Sequence, residues 1–93
     1  MAGIVLSSPD PQEAFDAGLA LARGDAPIRA IGAQVYGPAP APIARVRGRH
    51  RVRLLVKAPK GAALQGAVAR WVAQIRPGPN LRMSVDIDPQ SFY

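Results

Sequence analysis

Residues 45–57 read RVRGRHRVRLLVK, and this stretch decides the fold. In its second half the apolar side chains of Val52, Leu54 and Val56 alternate with three basic residues and a leucine. Successive side chains of a strand point to opposite faces of a sheet. The alternation therefore predicts a strand with one core face and one basic face, the clearest strand in the chain.

The first half of the stretch places five arginines at every second position, with no acidic residue among them: Arg45, Arg47, Arg49, Arg51 and Arg53. On one extended strand they would form a single row, about 6.5–7 Å apart, on one face. Gly48 allows a second interpretation, because a glycine at a turn would divide the row between the two arms of a hairpin. In either case a basic hairpin or loop is expected over about residues 38–51.

Three further strands are predicted outside this stretch. The short apolar segment at residues 2–8 is followed by turn residues, as a buried strand would be, and residues 33–37 form a second short strand. Residues 81–88 alternate between apolar and polar side chains and predict a strand with one buried face. The proline-rich residues 38–42 cannot continue a central strand, so we expect an extended connection there.

Two helices are predicted between the strands. The first is capped by Asp10, has Pro11 and Glu13 in its first turn, and ends at Gly24. One side of it would carry Phe15, Leu19 and Ala22. The second is opened by residues 59–61 and has a broad apolar stripe, within which Trp71 is expected to belong to the core. The stripe consists of Leu64, Val68, Trp71, Val72 and Ile75.

The resulting order is β-α-β-β-α-β, the ferredoxin-like split βαβ pattern. It predicts an α+β fold in which a four-stranded sheet carries both helices on one face. The other face of the sheet would be free for ligands. The 93 residues are expected to form a single domain over residues 1–93.

The charge of the chain is unevenly distributed. Twelve Lys and Arg residues oppose six Asp and Glu residues, and the formal net charge is +6. Seven of the basic residues fall between Arg45 and Lys60, where no acidic residue occurs. A local excess of this kind indicates a surface that binds a polyanion, and nucleic-acid phosphate is the first candidate.

Other classes of site are disfavoured by composition. The chain has no cysteine, which excludes disulfides and thiolate zinc sites and agrees with a reducing cytoplasm. His50 is the single histidine and lies among arginines, so neither a serine triad nor a cation site is expected there. Asp86 and Asp88 alone supply too few ligands for a hard cation. No phosphate-binding ATP loop, signal peptide or membrane-spanning segment is predicted.

The candidate nucleic-acid contacts follow from the same stretch. They are Arg45, Arg47, Arg49, His50, Arg51, Arg53 and Lys57. The cationic side chains would neutralise phosphates and give salt-sensitive binding that is largely blind to sequence. Tyr36 and His50 are candidates for stacking on bases.

Three segments resemble the C-terminal domain of primosomal protein N′, the PriA family of replication-restart helicases. They are residues 35–51, residues 54–65 and the ending at residues 85–92, which occur in the order and at the spacing of that family. The resemblance implies a fold like that of ribosomal protein S10, in a domain that helps bind branched DNA at stalled forks. It also implies a bacterial, cytoplasmic protein with no membrane association.

The resemblance carries expectations about cofactors and partners. Family members unwind DNA with ATP and hold zinc in an insertion, but both groups belong to upstream domains, so this chain alone is expected to be no enzyme. Expected partners are branched and single-stranded DNA, other primosome proteins and the acidic tail of single-stranded DNA-binding protein. For that tail, Gln65 matches the family's glutamine, whereas the family's basic position falls on Gly61, beside Lys60.

Two other functions remain open at this point. An RNA-binding module with the same S10-like fold would use a similar basic surface. A protein-interaction module that docks acidic peptides would use Lys60 and Gln65 instead.

Overall fold

The computed structural model of the chain describes residues 1–76 and 78–87, without the side chains of residues 42–46. The elements in chain order are β1 (Ala2–Ser8), α1 (Pro11–Arg23), α2 (Ala26–Arg29), β2 (Gln34–Val46), β3 (Arg49–Lys57), α3 (Leu64–Val72) and β4 (Arg82–Ile87). The strands form one antiparallel sheet in the order β2-β3-β1-β4. The α+β fold and the split β-α-β-β-α-β order predicted from the sequence are therefore confirmed.

The core lies between the sheet and the helices on one of its faces. Ile4 and Leu6 of β1 are fully buried and lie opposite Leu54 and Val52 of β3 in the pairing register. Each large apolar side chain buried in this way contributes roughly 1.5–3 kcal/mol to stability. The alternate residues of both strands lie on the opposite face, which we call the open face, and they are half-buried except for the exposed Lys57.

The start of α1 follows the sequence signals closely. Asp10 caps the helix through a carboxylate oxygen that accepts from the Gln12 N–H at 2.9 Å, and Pro11 occupies the first turn. Glu13 accepts a hydrogen bond from the hydroxyl of the buried Ser8. The same hydroxyl accepts from the Asp10 N–H at 3.1 Å. In a capping box, this N–H would donate to the side chain of Glu13 instead.

The buried side of α1 is not the side that carries Phe15. Ala14, Gly18 and Leu21 face the core, whereas Phe15 is 42% exposed. A Cβ atom on Gly18 would lie 2.7 Å from the Cβ of Pro38, so only a glycine lets the helix approach the sheet this closely. Small residues therefore set the distance between helix and sheet, which hydrophobic spacing alone does not reveal.

The predicted connection at residues 38–42 is wrong, because these residues continue β2 as far as Val46. β2 is an edge strand, and prolines are tolerated where the backbone faces away from a pairing partner. The pairing with β3 shifts register between Tyr36 and Ala39 and again between Pro40 and Arg45. The long edge strand and β3 together form the basic hairpin.

The hairpin turns at Arg47 and Gly48, whose φ angles are 51° and 76°. Two central residues with positive φ are the mark of a two-residue type I′ turn, which suits the twist of a hairpin. The hairpin interpretation of the arginine run is thus confirmed, and the interpretation as a single straight row is wrong. Arg45 lies on the β2 arm and pairs with His50 of the β3 arm, but its side chain lies outside the description.

The helix α3 begins at Leu64, whereas the sequence predicted that residues 59–61 would open it. Trp71 is fully buried, and its indole N–H donates to the Leu21 carbonyl at 2.8 Å, which joins α3 to α1. The predicted core position of Trp71 is confirmed. The short helix α2, which hydrophobic spacing did not predict, buries Ile28.

The last strand, β4, forms the other edge of the sheet beside β1. Its predicted buried face is only partly present, because Leu81 is buried whereas Val85 is 42% exposed. An edge strand has a neighbour on one side only, so less of its face is covered. Asp88, predicted to end this strand, lies outside the described residues. Among the helices of the described residues, none is long and apolar enough to span a bilayer.

Candidate functional site

The open face of the sheet gathers basic side chains from two strands. On β3, Arg51, Arg53 and Lys57 alternate with the buried residues of the core face, as the sequence predicted. The sheet order then places β1 between β3 and β4. Because residues in register share a face, side chains that are far apart in sequence become neighbours here.

Two rows of the register define the basic part of the open face. Ser7 of β1 lies between Arg51 of β3 and Arg82 of β4. In the next row Val5 lies between Arg53 and Ser84. All of these residues except Arg53 line a cavity of about 370 Å³, to which Met83 also contributes. Its lining consists of Val5, Ser7, Arg51, Arg82, Met83 and Ser84.

A second cavity of about 250 Å³ adjoins the first towards the hairpin turn. It is lined by Ser7 and four arginines: Arg47, Arg49, Arg51 and Arg82. The described residues that line the two cavities include no acid. Like charges gathered in a concave surface attract anions, because their potentials add and the low-dielectric walls focus the field. We call the surface of these two cavities and Arg53 the basic face.

Arg49 is held by the protein itself. Its Nε atom donates to the Ser7 hydroxyl at 3.2 Å, and Nη2 donates to the carbonyl oxygens of Ser7 and Asn80 at 2.8 Å and 2.6 Å. The guanidinium therefore connects the hairpin to β1 and to the loop before β4. Its predicted contact with nucleic acid stays a prediction, but its visible role is to hold these three segments together.

His50 lies on the other side of the sheet from the basic face. It pairs with the buried Ser8, and its alternation with Arg51 directs it towards the helices. The predicted contact residues are thus divided: Arg47, Arg49, Arg51, Arg53 and Lys57 belong to the open face or its hairpin turn, whereas His50 does not.

Lys60 and Gln65, the residues expected to contact an acidic tail, lie at the other end of β3 from the hairpin turn. Lys60 is exposed in the turn before α3, and Gln65 is exposed in the first turn of that helix. Gly61, at the family's basic position, is exposed between them. The two residues are near each other in the chain but separate from the basic face.

Sequence reasoning missed three contributors to the basic face: Arg82, Ser7 and Ser84. Arg82 and Ser84 alternate along β4, which indicates a shared face, but local patterns do not reveal which strand is their neighbour. Tyr36, proposed as a stacking residue, shares the open face with Leu55 and is 50% exposed. Its hydroxyl donates to Gln34 Oε1 at 2.6 Å, which restrains the ring.

A metal site receives no support from side-chain placement. Across residues 1–76 and 78–87, no three His, Cys, Asp or Glu side chains come together as a metal centre requires. Asp86 lies in register with Gly3 on the open face, and its proposed companion Asp88 is outside the described residues.

Comparison with known proteins gives a consistent result. Residues 1–90 match the family model of the primosomal protein N C-terminal domain. The replication restart protein PriA of Rickettsia felis is 29% identical over 92 residues, which cover 99% of this chain but 14% of that protein. The protein of the same name from Haemophilus influenzae is 35% identical over 62 residues, or 66% of this chain and 8% of that protein. The chain thus spans a small fraction of the curated relatives that it matches.

Proposed function

Because the chain belongs to the family of primosomal protein N C-terminal domains, we propose that it binds branched DNA as part of a replication restart protein. The relatives that share this domain are named as replication restart proteins. A role in recognising DNA at stalled forks follows from the family resemblance of the sequence. The observation that carries the proposal is the basic face, in which arginines from two strands and the hairpin turn line two adjoining cavities.

The basic face suits the phosphate backbone of DNA. A guanidinium can donate two parallel hydrogen bonds to a phosphate, and the serine hydroxyls of Ser7 and Ser84 can add neutral ones. Each phosphate that is neutralised releases condensed counterions, so affinity falls steeply with salt. Contacts of this kind read the position of the backbone and not the base sequence, as recognition of a fork by its shape requires.

The proposal extends to the whole protein by resemblance. The complete protein would be an ATP-dependent DNA helicase of superfamily 2, with an ATPase core and a zinc-binding insertion in segments outside this chain. It would act in the bacterial cytoplasm with other primosome proteins. The role of this chain within that protein would be to bind branched or single-stranded DNA. It would bind neither ATP nor zinc and would not unwind DNA.

A second contact is proposed for the acidic tail of single-stranded DNA-binding protein. Lys60 is exposed and cationic, and Gln65 in the first turn of α3 offers an amide donor. Titration with an acidic peptide that ends in Phe tests this contact. Saturable binding that is lost in the double variant Lys60→Ala, Gln65→Ala supports it, and unchanged binding removes these residues from the site.

The DNA-binding proposal is tested with two triple variants of equal net charge. Arg51, Arg53 and Arg82 on the basic face are replaced by alanine in the first, and Arg23, Arg70 and Arg76 outside it in the second. Arg49 is left intact because it holds the hairpin in place. Binding to a labelled fork is measured by fluorescence anisotropy at several salt concentrations, with thermal unfolding as a check on the fold.

In a plot of log K against the logarithm of salt concentration, we expect the slope of the first variant to be less steep by about 2–3. Each phosphate contact contributes about 0.9 to this slope. The second variant should keep the parent slope, because its arginines lie among the helices and the following turn. Equal slopes for both variants would show that total charge, and not the basic face, governs binding.

An RNA-binding module remains the second candidate, favoured by Tyr36 on the open face. Sheets of the split βαβ type that bind single-stranded RNA stack bases on exposed aromatic residues of this face. A competition between forked DNA and structured RNA at matched salt separates the two functions. Preference for the fork supports the first proposal, and preference for RNA supports the second.

A further inference from the structure

A groove of about 260 Å³ lies on the helix side of the sheet, between the first turns of α1 and the hairpin. Its lining consists of Pro11, Phe15, Pro40, His50, Arg51 and Val52. The pairing register places Pro40 directly opposite Val52, so the two strands of the hairpin form one wall, and Phe15 of α1 faces them. The site lies outside the basic face, although it adjoins that face.

We propose that this groove binds one unpaired nucleobase of a DNA strand whose phosphates lie on the basic face, an inference that rests on the proposed function. It assigns a site to His50 and Phe15, which the phosphate contacts leave without one. The ligand class is a flat, neutral, aromatic ring, as exposed by the single-stranded arms of a fork.

The shape and chemistry of the groove suit such a ring. Phe15 is 42% exposed although it is large and apolar, so part of its surface is open to a stacking partner. Pro40 and Val52 give the groove an apolar wall, and the imidazole of His50 can donate or accept hydrogen bonds at the edge of a base. The volume is below the roughly 300–1,000 Å³ of sites for drug-sized ligands, which agrees with a single small ring.

Charge distinguishes a base from a phosphate as the occupant. Asp10, Glu13 and Asp16 lie at the cap and in the first turns of α1, and they are three of the six acidic residues of the chain. A phosphate beside this end of the helix would meet like charges, whereas a neutral base would not. Phosphates have a better position on the basic face, where the linings hold four arginines.

The groove and the basic face are close enough to act on one strand. Arg51 lines the groove and also lines both cavities of the basic face. The two surfaces lie on opposite faces of the sheet and meet at this residue, so a strand on the arginines would pass round the hairpin beside Arg51 to place a base in the groove. Stacking there would favour unpaired DNA over duplex DNA, a preference that phosphate contacts alone do not provide.

The test compares three labelled substrates of equal length: a fork with thymidine arms, the same fork with abasic arms, and a blunt duplex. Phe15→Ala removes the stacking surface, and Val85→Ala is the matched control, because Val85 is also 42% exposed and apolar but lies on β4. We expect Phe15→Ala to weaken binding to the thymidine fork by about five- to 140-fold, the range for loss of one base stack. Binding to the other substrates and the salt slope should not change.

A second variant, Phe15→Trp, reports on the contact directly. The native Trp71 is fully buried, so a tryptophan at position 15 supplies the surface emission. Quenching of that emission by oligothymidine supports the base site, and unchanged emission overturns it. The inference also fails if Phe15→Ala binds the thymidine fork as tightly as the parent, or loses equal affinity for all three substrates. A different result would overturn the proposed function: the parent protein would show no salt-dependent binding to any of the three DNA substrates.

Discussion

Arginines at equal spacing in one run have different roles, because the turn of the hairpin assigns each a different position. Arg47 is exposed at the turn itself, where its φ angle of 51° is costly for a residue with a side chain. Arg49 donates to the oxygens of two other segments, and Arg51 lines every cavity described above. Arg49 therefore has a structural role that its position in the run does not reveal.

We predict that Arg49→Lys destabilises the protein by about 1–2 kcal/mol, because one ammonium cannot reproduce hydrogen bonds that leave from two nitrogens of a planar group. In a chain of this size, that loss lowers the midpoint of thermal unfolding by roughly 4–16 °C. Arg53→Lys is the control, since it makes the same change on the same strand and face. Equal unfolding midpoints for the two variants would mean that the bonds of Arg49 do not stabilise the fold.

At the scale of the elements, α1 approaches the sheet through a glycine. Gly18→Ala should destabilise the protein by about 1–3 kcal/mol, because the added Cβ would lie 2.7 Å from Pro38 and 3.3 Å from Val52. This reverses the usual preference for alanine within a helix. Gly66→Ala in α3 is the matched control, because its added Cβ would meet only the end of the Arg70 side chain, at 3.5 Å. This substitution should stabilise the protein by about 0.5–1 kcal/mol. Urea unfolding of both variants measures the difference, and a stabilising Gly18→Ala would contradict the close packing.

The same elements show what the sequence could and could not predict. β1, the start of α1 and β3 follow from local signals: alternation, a capping residue and a proline in the first turn. The length of β2 does not, because prolines are compatible with a strand only at an edge, and edge position depends on the order of all four strands. For the same reason the run of arginines indicated a basic surface, but Arg82 and Ser7 joined it only when the sheet brought β4 and β1 beside β3.

For the molecule as a whole, the basic face should make stability depend on ionic strength. Its arginines repel one another at neighbouring positions, and the chain carries a net charge of +6. Salt screens such repulsion over a Debye length of about 10 Å at 0.1 M, so the free energy of unfolding should rise with sodium chloride by on the order of 1 kcal/mol. The triple variant at Arg51, Arg53 and Arg82 should lose most of this response. A parent whose unfolding midpoint falls as salt is added would show that attractive pairs outweigh the repulsion.

The prolines of β2 have a further consequence for how molecules meet. A free edge of a sheet is a template on which another chain can add a strand, and this is a common route to aggregation. Residues 38, 40 and 42 lack the amide hydrogen that such addition requires, and they lie within the edge strand. Under the proposed function, many copies could therefore lie close together on one DNA molecule without their sheets merging through this edge, and each domain would keep its own basic face available.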